Sequence, residues 1–183
     1  MHPLIDKSDV ELLHSQGMSE EDVSHSVAVA GLALEIAGRV NVPLDMVLVS
    51  RGALFHDLGK VKTHAMEHGR IGAEMGEKLG LPPEVCAVME KHIRGGLTEA
   101  EAVEFGLPVK DYGLHRLEER VIIYADRLVD IITEGKVPLK DPREAEERFE
   151  EILKAYPKYG KNEITMTRYF GYHREIQGLM KDE

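Results

Sequence analysis

Ser19-Glu-Glu-Asp-Val-Ser-His-Ser-Val-Ala-Val-Ala-Gly-Leu-Ala-Leu-Glu-Ile-Ala-Gly-Arg-Val40 is the stretch from which the fold class follows. Ser19 with Asp22 three residues later marks a helix start, and from there to Val40 the segment is apolar on most sides. That pattern predicts a buried helix in the middle of the fold. Other helix starts are marked by Pro43, by Pro83, by the capping box Thr98/Glu101 and by Asp141-Pro142 with Glu144 following. Gly59 and Gly80 read as stops. Further helices are predicted over about 8–16, 67–79, 117–134, 142–155 and 163–180, with a loop over 107–115. No sustained strand alternation occurs, so the expected fold is all-α, a helical bundle. One domain is expected over 1–183, with a motif-bearing core of about 19–134 and C-terminal helices of about 142–181, because no repeat, low-complexity tract or linker divides the chain. The small residues Gly69, Gly72, Ala73 and Gly76 share one side of their helix and predict a close helix–helix approach there.

The composition is that of an ordinary globular chain, with 43% hydrophobic and 31% charged residues. A net charge of -10 would repel a general polyanion, so nucleic acid is not the expected partner, although a small phosphate ester remains compatible with a local positive centre. The most apolar run, Val27 to Leu34, is too short to span a bilayer, and the start carries no signal core. The single cysteine, Cys86, cannot form an internal disulfide and sits among apolar neighbours. A buried thiol, a cytoplasmic location and no membrane partner are the expectations.

Several polar residues interrupt helical apolar stripes. His25 lies in line with Val29, Leu32 and Ile36; His68 with Ile71, Met75 and Leu79; His92 follows Val85, Val88 and Met89. Asp126 shares a face with Ile122 and Val129, and a buried carboxylate must be protonated, salt-bridged or metal-bound. Arg127 projects about 100° away on a helix, so another partner is expected. His56-Asp57 closes the apolar run Val47 to Phe55, and an imidazole beside a carboxylate suits Zn, Fe or Mn. A lone histidine on such a stripe is more often a hydrogen-bonded core residue. His173 is assigned to packing or surface, and His2, His14, His64 and His115 to structural positions. Met66, Met75 and Met89 read as core fillers, and Glu21 as a solvated helix-start carboxylate. Lys158-Tyr-Gly-Lys161 and Arg168-Tyr-Phe-Gly-Tyr-His-Arg174 read as an amphipathic closing segment with a share in shaping a pocket, rather than as a nucleic-acid face.

In this order, His25, His56-Asp57 within His56-Asp-Leu-Gly-Lys60, and Asp126 resemble the H...HD...D signature of the HD-domain metal-dependent phosphohydrolases. The HDIG subgroup is the nearer likeness, with Leu58 in place of isoleucine, over about residues 22–130. The resemblance implies that His25, His56, Asp57 and Asp126 hold a divalent metal. His68 and His92 match the added histidines of two-metal members, so two ions are favoured, with Asp57 bridging them; Mn, Fe, Zn, Ni, Co and Mg all remain candidates. Lys60 resembles a lysine that contacts substrate phosphate, and Arg94 is taken with it as a substrate contact, while Lys62 is balanced between contact and solvent. Asp57 and Lys60 would carry catalysis: hydrolysis of a phosphate ester or anhydride, of a nucleotide or related small molecule, by a metal-activated water. A looser likeness to HD proteins that hydrolyse dinucleoside polyphosphates does not fix the substrate. Two rivals stand beside this reading, a di-iron oxygenase and a metal-containing nucleotide-binding regulatory module without turnover. Substrate, native metal and oligomeric state, a homo-oligomer included, are open at the level of sequence.

Overall fold

A computed structural model describes residues 1–182. Helices account for the described structure: α1 Lys7–Ser15, α2 Glu20–Arg39, α3 Met46–Phe55, α4 His68–Lys78, α5 Pro83–Lys91 and α6 Glu99–Glu104. They are followed by α7 Leu117–Glu134, α8 Pro142–Glu147, α9 Phe149–Ala155, α10 Pro157–Gly160 and α11 Glu163–Gly178. The capping signals operate as expected. Side chains of Ser19, Thr98 and Asp141 accept hydrogen bonds from the amides of Asp22, Glu101 and Glu144, three residues into their helices. Gly80 has φ 77° and ends α4.

The apolar stripes meet in one core. α3 packs against α2, α5 and α7, and nearly every residue from Leu48 to Phe55 is buried. α2 keeps an exposed side at Ser24, Glu35 and Gly38, so the middle of the fold is α3, with α2 beside it. Gly52 lets this happen: a Cβ there would lie 2.8 Å from Ile122 Cδ1 of α7 and 3.2 Å from Val88 Cγ2 of α5. Cys86 is buried, as its neighbours predicted. Among the described residues, no helix is long and apolar enough to cross a membrane.

Three boundaries differ from expectation. Pro43 precedes the helix rather than starting it; Asp45 caps α3 by accepting from the Leu48 amide at 3.0 Å. The predicted helix over 142–155 breaks at Arg148, whose guanidinium pairs with Glu144 on one side at 3.3 Å and Glu151 on the other at 3.0 Å. Gly59 does not stop α3, which already ends at Phe55; it lies inside a 3₁₀ turn, Leu58–Val61. Its role is steric. A Cβ on Gly59 would sit 1.8 Å from the carbonyl oxygen of His68, so only glycine lets this turn seat against the start of α4.

Candidate metal centre

Five helix ends or faces deliver the six residues. His25 comes from α2 and Asp126 from α7; His56 and Asp57 follow α3; His68 opens α4 and His92 caps α5. The small-residue side of α4 brings the last two together. A Cβ on Gly69 would lie 3.0 Å from the Met89 carbonyl, and this close approach leaves the rings of His68 and His92 with centroids 4.9 Å apart.

The donor atoms form two triads, His25/His56/Asp126 and Asp57/His68/His92, each with its ligand-type atoms within 4.8 Å of one another. Asp57 faces both. Its Oδ2 lies 3.2 Å from His56 Nε2 and 3.7 Å from His25 Nε2, while its Oδ1 lies 3.3 Å from His68 Nε2 and 3.2 Å from His92 Nε2.

The fit to a cation can be tested on the imidazoles themselves. His56, His68 and His92 each place Nδ1 against the backbone carbonyl three residues earlier, at 2.5, 2.8 and 2.7 Å from Ala53, Ala65 and Met89. An Nδ1–H donated there leaves Nε2 as a lone pair. All three lone pairs then point at carboxylate oxygens and at each other; His68 Nε2 and His92 Nε2 are 3.0 Å apart. His56 Nε2 is fully buried and has no hydrogen-bond partner. Acceptors facing acceptors in a buried site call for a positive charge between them, and borderline divalent metals take this mixture of imidazole and carboxylate donors.

Without such an ion, protons take its place. Burial opposes charge on both Asp57 and Asp126, yet the imidazole His56 for the first, and hydrogen bonding from His25 for the second, hold them well below the usual carboxylate range. Burial likewise opposes protonation of His25 and His56, but the Asp126 hydrogen bond raises the first and the Asp57 charge lifts the second well above the ordinary histidine value. His92 moves the other way, because its burial prevails over the pull of Asp57.

Lys60 lies 3.1 Å from Asp57 Oδ2, and despite burial that carboxylate raises its pKa, so it is a fixed cation at the edge of the centre. The triads open onto a cavity of about 780 Å³, with Lys60, Met66, Arg94, Arg127, Lys161 and Tyr169 also on its walls. Arg94 therefore lies where a substrate contact would; Lys62 is exposed and not part of the lining. Met66 belongs to the cavity wall as well as to packing, and His64 and Glu21 stand exposed at its rim. His173 is a packing residue, stacked on Phe149 and hydrogen-bonded through Nδ1 with the Tyr124 hydroxyl at 2.6 Å.

The structure corrects the exclusion of Arg127. Its long side chain curls back along α7, so Nη2 reaches Asp126 Oδ2 at 3.5 Å and Asp130 Oδ2 at 2.5 Å. Asp130 had no part in the expectations above; its Oδ1 stands 3.6 Å from His25 Nδ1, facing the ring nitrogen that Asp126 does not. Its position one turn after Asp126 on the same face was the available signal.

The family model described as HD domain matches residues 22–132. The uncharacterized protein MJ0778 of Methanocaldococcus jannaschii is 37% identical over 167 residues, covering 89% of this chain and 92% of that one. Two longer proteins match over only part of their length. The tRNA (cytidine(56)-2'-O)-methyltransferase of Picrophilus torridus is 35% identical, over 66% of this chain and 35% of its own. Ribonuclease Y of Acidothermus cellulolyticus is 31% identical, over 85% of this chain and 29% of its own. Among solved structures, the HD domain of Listeria monocytogenes (L. monocytogenes) phosphodiesterase PgpH superposes with a TM-score of 0.58 at 18% identity, over 96% of this chain and 95% of that one. The six-residue cluster lies within the span matched by the family model, and the chain belongs to the HD-domain family.

Proposed function

We propose that this chain is a metal-dependent phosphohydrolase acting on a nucleotide or another small phosphate ester or anhydride, with two divalent ions at the two triads. The observation that carries the reading is Asp57, which turns one carboxylate oxygen toward each triad. Support comes from the HD family, whose members bind divalent metals, and from the relative named as a ribonuclease, a hydrolase of phosphodiesters. Divalent ions in such a pair lower the pKa of a coordinated water and offset charge on phosphoryl oxygens.

The chain's own groups supply the rest. Asp57 and Asp126 stay ionised at neutral pH, so both carboxylates are available to cations that displace the imidazole protons. Lys60 is placed to meet a phosphoryl oxygen beside Asp57, and Arg94 would hold another part of the substrate. Residues 1–183 form one domain in this reading, because Lys161 after α10 and Tyr169 of α11 share a cavity with His25 and Asp126. A cytoplasmic location accompanies this reading.

The test is phosphate release from nucleotide and phosphate-ester panels by protein stripped of metal and reloaded with Mn, Co, Ni, Zn or Mg. Metal-dependent turnover that Asp57→Ala abolishes is expected. Full activity in that variant, or a folded wild type that binds none of these metals, would overturn the assignment.

A further inference from the structure

Among the described residues, two that are not glycine have positive φ: Arg94 at 52° and Lys161 at 67°. L side chains pay for that conformation, so surrounding structure must impose it. Both residues are cations, and both line the cavity onto which the triads open. Neither pairs with a described carboxylate within 4.0 Å. Two of the acidic groups whose charge Lys161 feels are engaged elsewhere, Asp126 by His25 at 2.9 Å and Asp130 by Arg127 at 2.5 Å.

The structure also shows what imposes the strain. Arg94, Gly95 and Gly96 form a consecutive run with φ of 52°, 72° and 97°. Helix α11 clamps it: the Arg168 guanidinium donates to the Arg94 carbonyl at 2.9 Å, and the Tyr172 hydroxyl donates to the Gly95 carbonyl at 2.6 Å. Arg168 is itself paired with Glu101. Lys161 follows α10, where its amide donates to the Pro157 carbonyl at 2.8 Å and Tyr159 is anchored to Glu134 at 2.8 Å. Burial, then the charges of Arg127 and Arg94, hold the Lys161 ammonium below its ordinary pKa, so these cations stand near one another on the cavity wall.

We propose that Arg94 and Lys161 form a second phosphate-binding subsite in the cavity, so that favoured substrates carry a further phosphate besides the one at the metal centre. The inference rests on the proposed hydrolase only for which phosphate reacts. Lys161 and the α11 clamp lie beyond the segment matched by the HD model, whereas Arg94 lies within it.

The experiment compares adenosine 5′-monophosphate with two compounds that carry two phosphate groups, adenosine 3′,5′-bisphosphate and the linear dinucleotide pApA, on the Mn-loaded full chain. Initial rates give kcat/KM where a compound turns over, and calorimetry gives Kd where it does not. At least one of the two should be preferred by tenfold or more. Arg94→Gly and Lys161→Gly should each bring that ratio to within about threefold of unity while Tm stays level or rises, because glycine relieves the positive φ. Equal treatment of all three compounds by the wild type, or a preference that survives in the double glycine variant, would overturn the subsite. Preferential binding without turnover of any compound would sink the hydrolase and leave the subsite standing; turnover without preference would do the reverse.

Discussion

The two triads use the same donor types and share Asp57, yet their protons sit differently. In His25/His56/Asp126 both imidazoles are raised above the ordinary value by carboxylates, with His25 Nε2 held 2.9 Å from Asp126. In Asp57/His68/His92, burial lowers His92, and two Nε2 atoms face each other at 3.0 Å. The first triad keeps protons as placeholders, whereas His92 in the second resists protonation. A metal must displace protons at the first and meets less competition at the second.

The largest effects should come from removing one triad at a time. His56→Ala and His92→Ala should each lower metal content from two ions to one and reduce kcat by about 10²–10³-fold, roughly 2.7–4 kcal/mol of transition-state stabilisation lost with one ion. Elemental analysis and phosphate release measure both. A variant that retained two ions would merge the triads into a single site.

Gly59→Ala should affect the two triads unequally. The added Cβ would collide with the His68 carbonyl, forcing α4 away and spoiling the second triad while the first is left in place. A loss of about 1–3 kcal/mol in stability is expected from overpacking, with one ion retained. Denaturant titration and metal content read the outcome. Unchanged stability and two ions would contradict the steric role of Gly59.

Lys60→Met should leave both ions bound and lower kcat/KM by about 10–100-fold, the value of one charged hydrogen bond of roughly 1.5–3 kcal/mol. An unaltered kcat/KM would reduce Lys60 to a local partner of Asp57.

The smallest effect is in pH. Raised pKa values at His25 and His56 add stability to the metal-free protein that is complete below the unfolded value of about 6.5 and is lost as pH rises through their folded values. Lowered pKa values at Asp57 and Asp126 add stability present above about 3.9 and lost as pH falls through theirs. These contributions overlap between about pH 4 and 6.5. As pH rises from that window through the folded histidine values the proton placeholders leave, so the rise in Tm on adding Mn should be larger at pH 8 than at pH 6. An equal shift at both values would show that the first triad holds no displaceable protons.

Much of this centre was legible because its signals are local. Asp126 interrupts an apolar face, His56-Asp57 closes an apolar run, and helix caps such as Thr98/Glu101 reveal their geometry in four residues. Other features depend on contacts between distant segments. Gly59 reads like a helix stop because sequence does not show the His68 carbonyl against it. Arg127 was set aside because a helical projection gives the direction of Cβ but not the reach of a flexible side chain. Lys161 stood in a segment already noted for its bases and aromatics, but its place on the cavity wall follows from α10 and α11 folding back over α7 and the Arg94 turn. Positive φ at a lysine has no sequence signature at all.

If these six residues hold divalent metal, metal content per chain will show it. Wild type and Asp57→Ala are dialysed with Mn at pH 7.5, freed of unbound ion and compared by elemental analysis, with circular dichroism to verify the fold. Two ions per wild-type chain are expected, and at most one, weakly held, in the variant that lacks the shared carboxylate. A folded wild type that retains no ion, or a variant that retains as many as the wild type, would contradict metal binding by these six.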